Sequence, residues 1–409
     1  MNSKDGIESK VFRLRQLPSW ASTRTAARRL ISRALDLASD HVALYSIAQS
    51  SDTWEAEPTW VATVQLKKLP SLIKESREAT EWEIRVSARD PARDPGSPNT
   101  GRDENPILIL DSHFEGMTVL NDVDPATHYA EYVFAPCRCV ARLLSVAASC
   151  SCIAISGLAS HPFGSWQPRG PDKSFMWVRD VLPKSLPGVR AIIYGYDSGL
   201  IGSKSFQTVS DIAQTLIFQL KSGGWNLPSS HTSASKPIIF LAHSLGGLVL
   251  KHAVVHMADR ESSVSNILQN LHGAIMFGVP SLGMEQSHLM AMVEGQPNET
   301  LVYDLSREGG TNYLRHLNTQ FEGLSYVRSA RILWAYETEE SPTVVASTYL
   351  QSFLLRLLSG RLLTSIVASR GRQLGSVRPF CNTCQQRFGN FSVLQKKHGG
   401  DDPYKQGPF

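Results

Sequence analysis

Five short apolar runs punctuate the chain after residue 150: CIAIS (152–156), VRAIIYG (189–195), KPIIFLA (236–242), LHGAIMFG (271–278) and ARILWAYE (330–337). None alternates cleanly between apolar and polar, which is the pattern of strands covered on both faces. Helical periodicity fills intervals between them. In SFQTVSDIAQTLIFQLKS (205–222), Val209, Ile212, Ala213, Leu216, Ile217 and Leu220 form one apolar stripe, and LGGLVLKHAVVHMA (245–258) follows the third run directly. Repetition of strand and helix restricts the chain to an α/β architecture: a mainly parallel sheet with right-handed crossovers, covered by helices.

The flanks read differently, and 409 residues leave room for them. Residues 1–35 are basic, with Lys4, Lys10, Arg13, Arg15, Arg24, Arg28, Arg29 and Arg33 against Asp5 and Glu8. The STRTAARRLISRAL stretch (22–35) resembles a mitochondrial presequence, and a loose basic tail or short surface helix is the plainer reading. Residues 36–104 form a small strand-rich extension, with WVATVQLKK (60–68) and WEIRVSA (82–88) ahead of an exposed proline-rich loop at 88–105. PILILD (106–111) either joins that extension or opens the main unit, which is expected over 105–370; a weakly ordered, glycine-rich tail covers 371–409.

Forty-one Lys and Arg against 37 Asp and Glu give a net charge of only +4, too thin a surplus for a phosphate-binding surface, so no nucleic acid is expected. The six cysteines are too few for a disulfide framework and point to a reducing, intracellular compartment. Cys381 and Cys384 form a lone CxxC, half of a zinc site with no second pair, so neither metal nor cofactor is expected. No run of about 18 apolar residues occurs. The segments 137–152 and 348–368 carry internal arginines and read as amphipathic or interfacial helices, suited to peripheral membrane contact.

The strongest local signal is FLAHSLGG (240–247). Ser244 stands between an apolar run and a helical pattern, flanked by Ala242 two residues before and by Gly246 and Gly247 after. Small residues at these places permit the sharp strand-to-helix turn of a nucleophile elbow, here in the form A-x-S-x-G. A serine hydroxyl there lies at a helix N-terminus, where the Leu245 N–H can stabilise an oxyanion. A second donor is expected from the loop after the first run, at Leu158 or Ala159; His161 in that loop reads as a loop-stabilising residue. The nucleophile needs a base and an acid, in the chain order Ser, acid, His. Glu337 at the end of the fifth run is the candidate acid, with Glu339 and Glu340 as rivals. His398 is the one histidine that follows; His243, His252 and His256 suit packing or surface roles.

These blocks resemble a known family. CIAISGLASHPFGSW, MWVRDVLPKSLPGVRAIIYGYDS, PIIFLAHSLGGLVLKHAV, GAIMFGVPSLG and ILWAYETEESPTVVAS occur in the order found in the serine-active-site-containing protein family and related fungal serine esterases, over roughly residues 105 to 350. The resemblance implies an α/β-hydrolase-like fold, esterase or lipase-like activity on lipid or other carboxylic esters, and association with the mitochondrion or endoplasmic reticulum. It matches Ser244 to the nucleophile and Glu337 to the acid, and it finds Ser156-Gly157 in place of the family's His-Gly. The family's terminal histidine has no counterpart in TYLQSFLLRLLSGRLLTSIVASRGRQ. Two functions are therefore expected in rivalry: a serine hydrolase, or a catalytically inactive scaffold or signalling module built on the same fold.

Overall fold

The computed structural model describes residues 10–51, 57–76, 78–86, 106–123, 150–168, 174–226, 237–259, 264–285, 287–306, 311–337, 378–379 and 391–395. They build two sheets.

The first sheet is antiparallel throughout, with five strands in the order β2-β3-β1-β5-β4. These are β1 (Val11–Leu17), β2 (Val42–Gln49), β3 (Trp60–Leu66), β4 (Glu81–Arg85) and β5 (Ile107–Asp111). Helix α1 (Arg24–Ala34) buries Ala27, Leu30 and Ile31 in a core shared with Phe12, Leu14, Val64 and Leu110. Residues 10–35 of the basic segment are thus not a loose tail, and the presequence-like stretch forms a helix with one face buried and its arginines exposed. β1 is the central strand. Its Arg13 is enclosed because Nε meets the buried Asp111 carboxylate at 2.8 Å and Nη1 donates to Thr118 at 2.9 Å. PILILD also belongs to this sheet, as β5, and not to the main one.

The second sheet has eight strands in the order β12-β13-β11-β10-β9-β7-β8-β6. They are β6 (Gly116–Val119), β7 (Cys150–Ile155), β8 (Val189–Gly195), β9 (Ile238–His243), β10 (Leu271–Phe277), β11 (Arg331–Glu337), β12 (Arg378–Pro379) and β13 (Phe391–Gln395). The five expected apolar runs are the five central strands, all parallel. β6, β13 and β12 add antiparallel ladders at the edges, so the sheet is mixed where a mainly parallel one was expected. β7 begins at Cys150, which gives strand rather than helix to the last residues of the 137–152 segment; the rest of that segment, and all of 348–368, lies outside the described residues. Cys150 and Cys152 are buried free thiols of this strand, and burial pushes the Cys150 thiol up to about 12, away from redox or metal chemistry.

Side chains alternate between two cores. Ile153, Phe240 and Met276 face helices α2 (Val209–Ser222), α3 (Leu245–Asp259) and α4 (Thr311–Gly323), while Cys152, Leu241 and Ile275 face Trp177 and Leu182. The predicted stripe of α2 is buried in full, and its first turn is held by a capping box between Thr208 and Asp211. β7 lies between β8 and β9, so the chain reverses its direction of advance across the sheet at the β7/β9 boundary. Open α/β sheets bind ligands beyond the carboxyl ends of their strands at such a boundary.

Candidate active site

Ser244 stands at that boundary. β9 ends at His243, α3 starts at Leu245, and the serine between them adopts φ +50°, the left-handed region that residues with a Cβ enter at a cost. The conformation is held from both sides: the Ser244 N–H donates to the Phe277 carbonyl at 2.9 Å, and its own carbonyl accepts from Gly247 N at 3.0 Å. Ala242 is fully buried in the strand, beside Met276 of β10 and Ile155 of β7. Gly246 and Gly247 are required by close approach. A Cβ on Gly246 would lie 2.4 Å from the Ser156 carbonyl oxygen, and one on Gly247 would lie 2.1 Å from Val279 Cγ2.

The loop after β7 presses against the serine. A Cβ on Gly157 would meet Ser244 Cβ and His243 Nδ1, each at 2.9 Å. Ala159 has φ +47° and its N–H donates to the Ser198 carbonyl at 2.7 Å, which turns the loop back over the end of the sheet. Leu158 and Leu245 are buried residues, and among the described residues nothing accepts from the N–H of either. Unpaired buried N–H groups are rare. Ser156 Oγ is likewise buried without a partner, while its carbonyl accepts from the Tyr196 hydroxyl at 2.7 Å.

The remaining candidates separate. Glu337 closes β11 at the same end of the sheet as Ser244, two strands across from β9, a lateral step of about 10 Å at ordinary strand spacing. His398, Cys381 and Cys384 lie outside the described residues. β13, which precedes His398 in the chain, runs from Phe391 opposite Glu337 to Gln395 opposite Leu333, away from the serine edge. His252 Nδ1 lies 3.0 Å from the Tyr313 hydroxyl of α4 and its ring stacks on His256, so both face the helical layer. Among the described residues no hydrogen bond joins Ser244 to a histidine.

Sequence reasoning passed over Lys251, seven residues into the apolar α3 from Leu245. Its Nζ is buried, donates to Ser281 Oγ and Asn318 Oδ1 at 2.6 Å each, and sits 4.7 Å from the Trp334 ring. It fastens the loop after β10, and with it the Phe277 end that holds Ser244, to α3 and α4. A lysine interrupting an otherwise apolar helix face was the available signal. The one cluster of metal-ligand types among the described residues, Glu81, Asp111 and His113, already has Arg13 and Arg15 on its carboxylates and reads as an ion-pair network. Among the described residues no helix is long and apolar enough to cross a membrane.

No family model matches the chain. Relatives are distant: protein SERAC1 of Danio rerio is 25% identical over 168 residues, covering 41% of this chain and 25% of that protein. Protein SERAC1 of Bos taurus is 23% identical over 153 residues, covering 33% and 22%. The chain thus matches about a quarter of the length of these relatives. Among solved structures, lipase BlEst2 of Bacillus licheniformis in its mature form overlaps 58% of this chain and 79% of its own at 15% identity and TM-score 0.33. Phospholipase PlaB of Legionella pneumophila overlaps 47% and 38% at 13% identity and TM-score 0.33. Overlaps at that score do not define a fold, and the architecture rests on the strand order above. The chain is a distant relative of SERAC1 with a mixed sheet, flanked by helices, that resembles an α/β-hydrolase core.

Proposed function

We propose that the protein is a serine hydrolase acting on a carboxylic ester, with a lipid ester as the favoured class. The observation that carries this reading is the left-handed Ser244, wedged between β9 and α3, with the Leu245 N–H next to it and the Leu158 N–H in the loop that presses on it, neither of which has an acceptor among the described residues. A strained backbone held from both sides marks a residue whose position matters more than its local stability. In the proposed reaction Ser244 Oγ attacks the ester carbonyl and the alkoxide leaves. The Leu245 and Leu158 N–H groups bind the charge that develops on the carbonyl oxygen, and water then releases the acyl group. Proton transfer falls to a histidine ordered by Glu337, with His398 the candidate by chain order. The apolar surroundings and the relationship to SERAC1 support an acyl substrate handled at an intracellular membrane surface, and vesicle flotation tests that location.

The rival reading is a catalytically inactive scaffold, favoured by the lack of a described histidine bonded to Ser244. Hydrolysis of p-nitrophenyl butyrate and palmitate separates the two. The hydrolase reading expects turnover by the wild type that Ser244→Ala abolishes; equal rates in both proteins would leave the scaffold. A His398→Asn variant with full turnover would remove that histidine from the mechanism.

A further inference from the structure

We infer that His161 is a positioning residue for this reaction: as a neutral imidazole it clamps the loop carrying the Leu158 N–H to the turn that leads out of the five-stranded sheet. Its catalytic role rests on the Ser244 reading; the clamp does not.

Both ring nitrogens are engaged, with opposite polarity. Nδ1 accepts from the Phe163 and Gly164 N–H groups, each at 3.2 Å, so it must be bare. The proton then resides on Nε2, which donates to the Ser112 carbonyl at 3.0 Å, 49 residues back along the chain. No other protonation state satisfies all three bonds. The surroundings fix the partners in turn. The His161 ring stands edge-on to Phe114, 5.2 Å between centroids, and Phe114 is held at φ +58° while its N–H donates to Asp111 at 2.9 Å. Gly195 of β8 lies so near that a Cβ there would be 2.0 Å from the Phe114 carbonyl and 2.6 Å from Pro162. The 111–116 turn, the loop and β8 are therefore packed without slack, and Tyr45 stacked on Phe163 adds a second contact from the first sheet.

His161 is an exposed residue by surface area, yet its ring nitrogens face backbone groups. Desolvation of the ring, opposed by its bond to Ser112, lowers its pKa below the usual imidazole value; Lys10 and His113 push it the same way, and Asp111 opposes. A second proton must enter at Nδ1, where it expels two donors at once. Acid therefore loosens the 161–164 turn of the loop, while the Nε2–H can still donate to Ser112, by a route independent of the catalytic base.

The test uses the full chain as wild type, His161→Asn and His161→Ala. Asparagine supplies an acceptor in the place of Nδ1 but neither titrates nor reaches Ser112. Amide-exchange protection of Phe163 and Gly164, and the rate of fluorophosphonate labelling, are followed from pH 7.5 to 4.5. In the wild type, protection of both amides should fall about fivefold or more on acidification, the loss of one ordinary hydrogen bond. His161→Asn should keep that protection at every pH and lose the matching acid limb in labelling. His161→Ala should lack protection throughout and label roughly tenfold more slowly, as a misplaced catalytic donor requires. Protection that is constant with pH in the wild type, or intact in His161→Ala, would overturn the clamp. Protection that tracks the titration with no labelling in any protein would keep the clamp and overturn its catalytic role together with the hydrolase reading.

Discussion

Replacing Gly246 by alanine sets two physical effects against each other, and the geometry decides the sign. Gly246 is the second residue of α3, and alanine in place of glycine within a helix ordinarily gains about 0.5–1 kcal/mol. Here the added methyl would lie 2.4 Å from the Ser156 carbonyl oxygen and 2.8 Å from both Ile155 Cγ2 and the Ile155 carbonyl oxygen. The nearest approach is about 1 Å short of ordinary contact, and two of the three atoms are backbone of the β7 end, which cannot rotate aside. Relief requires moving α3 away from β7, with overpacking costs of about 1–3 kcal/mol or more. The net expectation is a loss of about 1–2 kcal/mol after the helix gain is subtracted. The same shift separates the Leu245 N–H from the Leu158 N–H, and a displacement of that size costs on the order of a hundredfold in rate. Urea unfolding and the second-order rate of fluorophosphonate labelling read the two consequences. Gly323→Ala is the control, because nothing lies within 4 Å of a Cβ there. A Gly246→Ala protein that is more stable than wild type and labels at the wild-type rate would refute the close approach of β7 and α3.

Other outcomes follow from the same geometry. Glu337→Gln should lower ester turnover by about 10²–10⁴-fold with little change in KM, because a misoriented histidine is lost in the transition state; unchanged kcat would move the acid elsewhere. Asp111→Ala should destabilise the fold by about 3–5 kcal/mol in urea unfolding, since it leaves the buried Arg13 guanidinium without its carboxylate; a loss under about 1 kcal/mol would mean that Arg13 reaches water. Between pH 7.5 and 5 stability should fall. His161, His252 and His272 all have folded pKa values lowered chiefly by desolvation, so the unfolded chain binds more protons below about 6.5 and is favoured as pH drops. A flat profile by thermal unfolding would contradict these assignments.

The central strands and helices were legible because their evidence is local. The α2 stripe from Val209 to Leu220 and the apolar run into Ser244 declare themselves within a few residues, as do the glycines that the turn demands. What escaped depends on distant partners. β1 looked like part of a basic tail because Arg13 and Arg15 interrupt it, and the Asp111 that neutralises them lies 98 and 96 residues away across the proline-rich loop. The antiparallel edges were missed for the same reason: β13 comes from a glycine-rich stretch whose strand character shows only in its ladders with β11 and β12. At the candidate site, motif and chain order were enough to nominate Ser244, Leu245 and Glu337. The tie from His161 to Ser112 and the anchoring by Lys251 required the fold.

The central claim is that Ser244 is an activated nucleophile, and a fluorophosphonate probe reads it directly. Incubation of the folded full chain, followed by mass spectrometric mapping, should find one adduct on Ser244 in the wild type and none in Ser244→Ala. No adduct on correctly folded wild-type protein, or an adduct that survives Ser244→Ala, would contradict it.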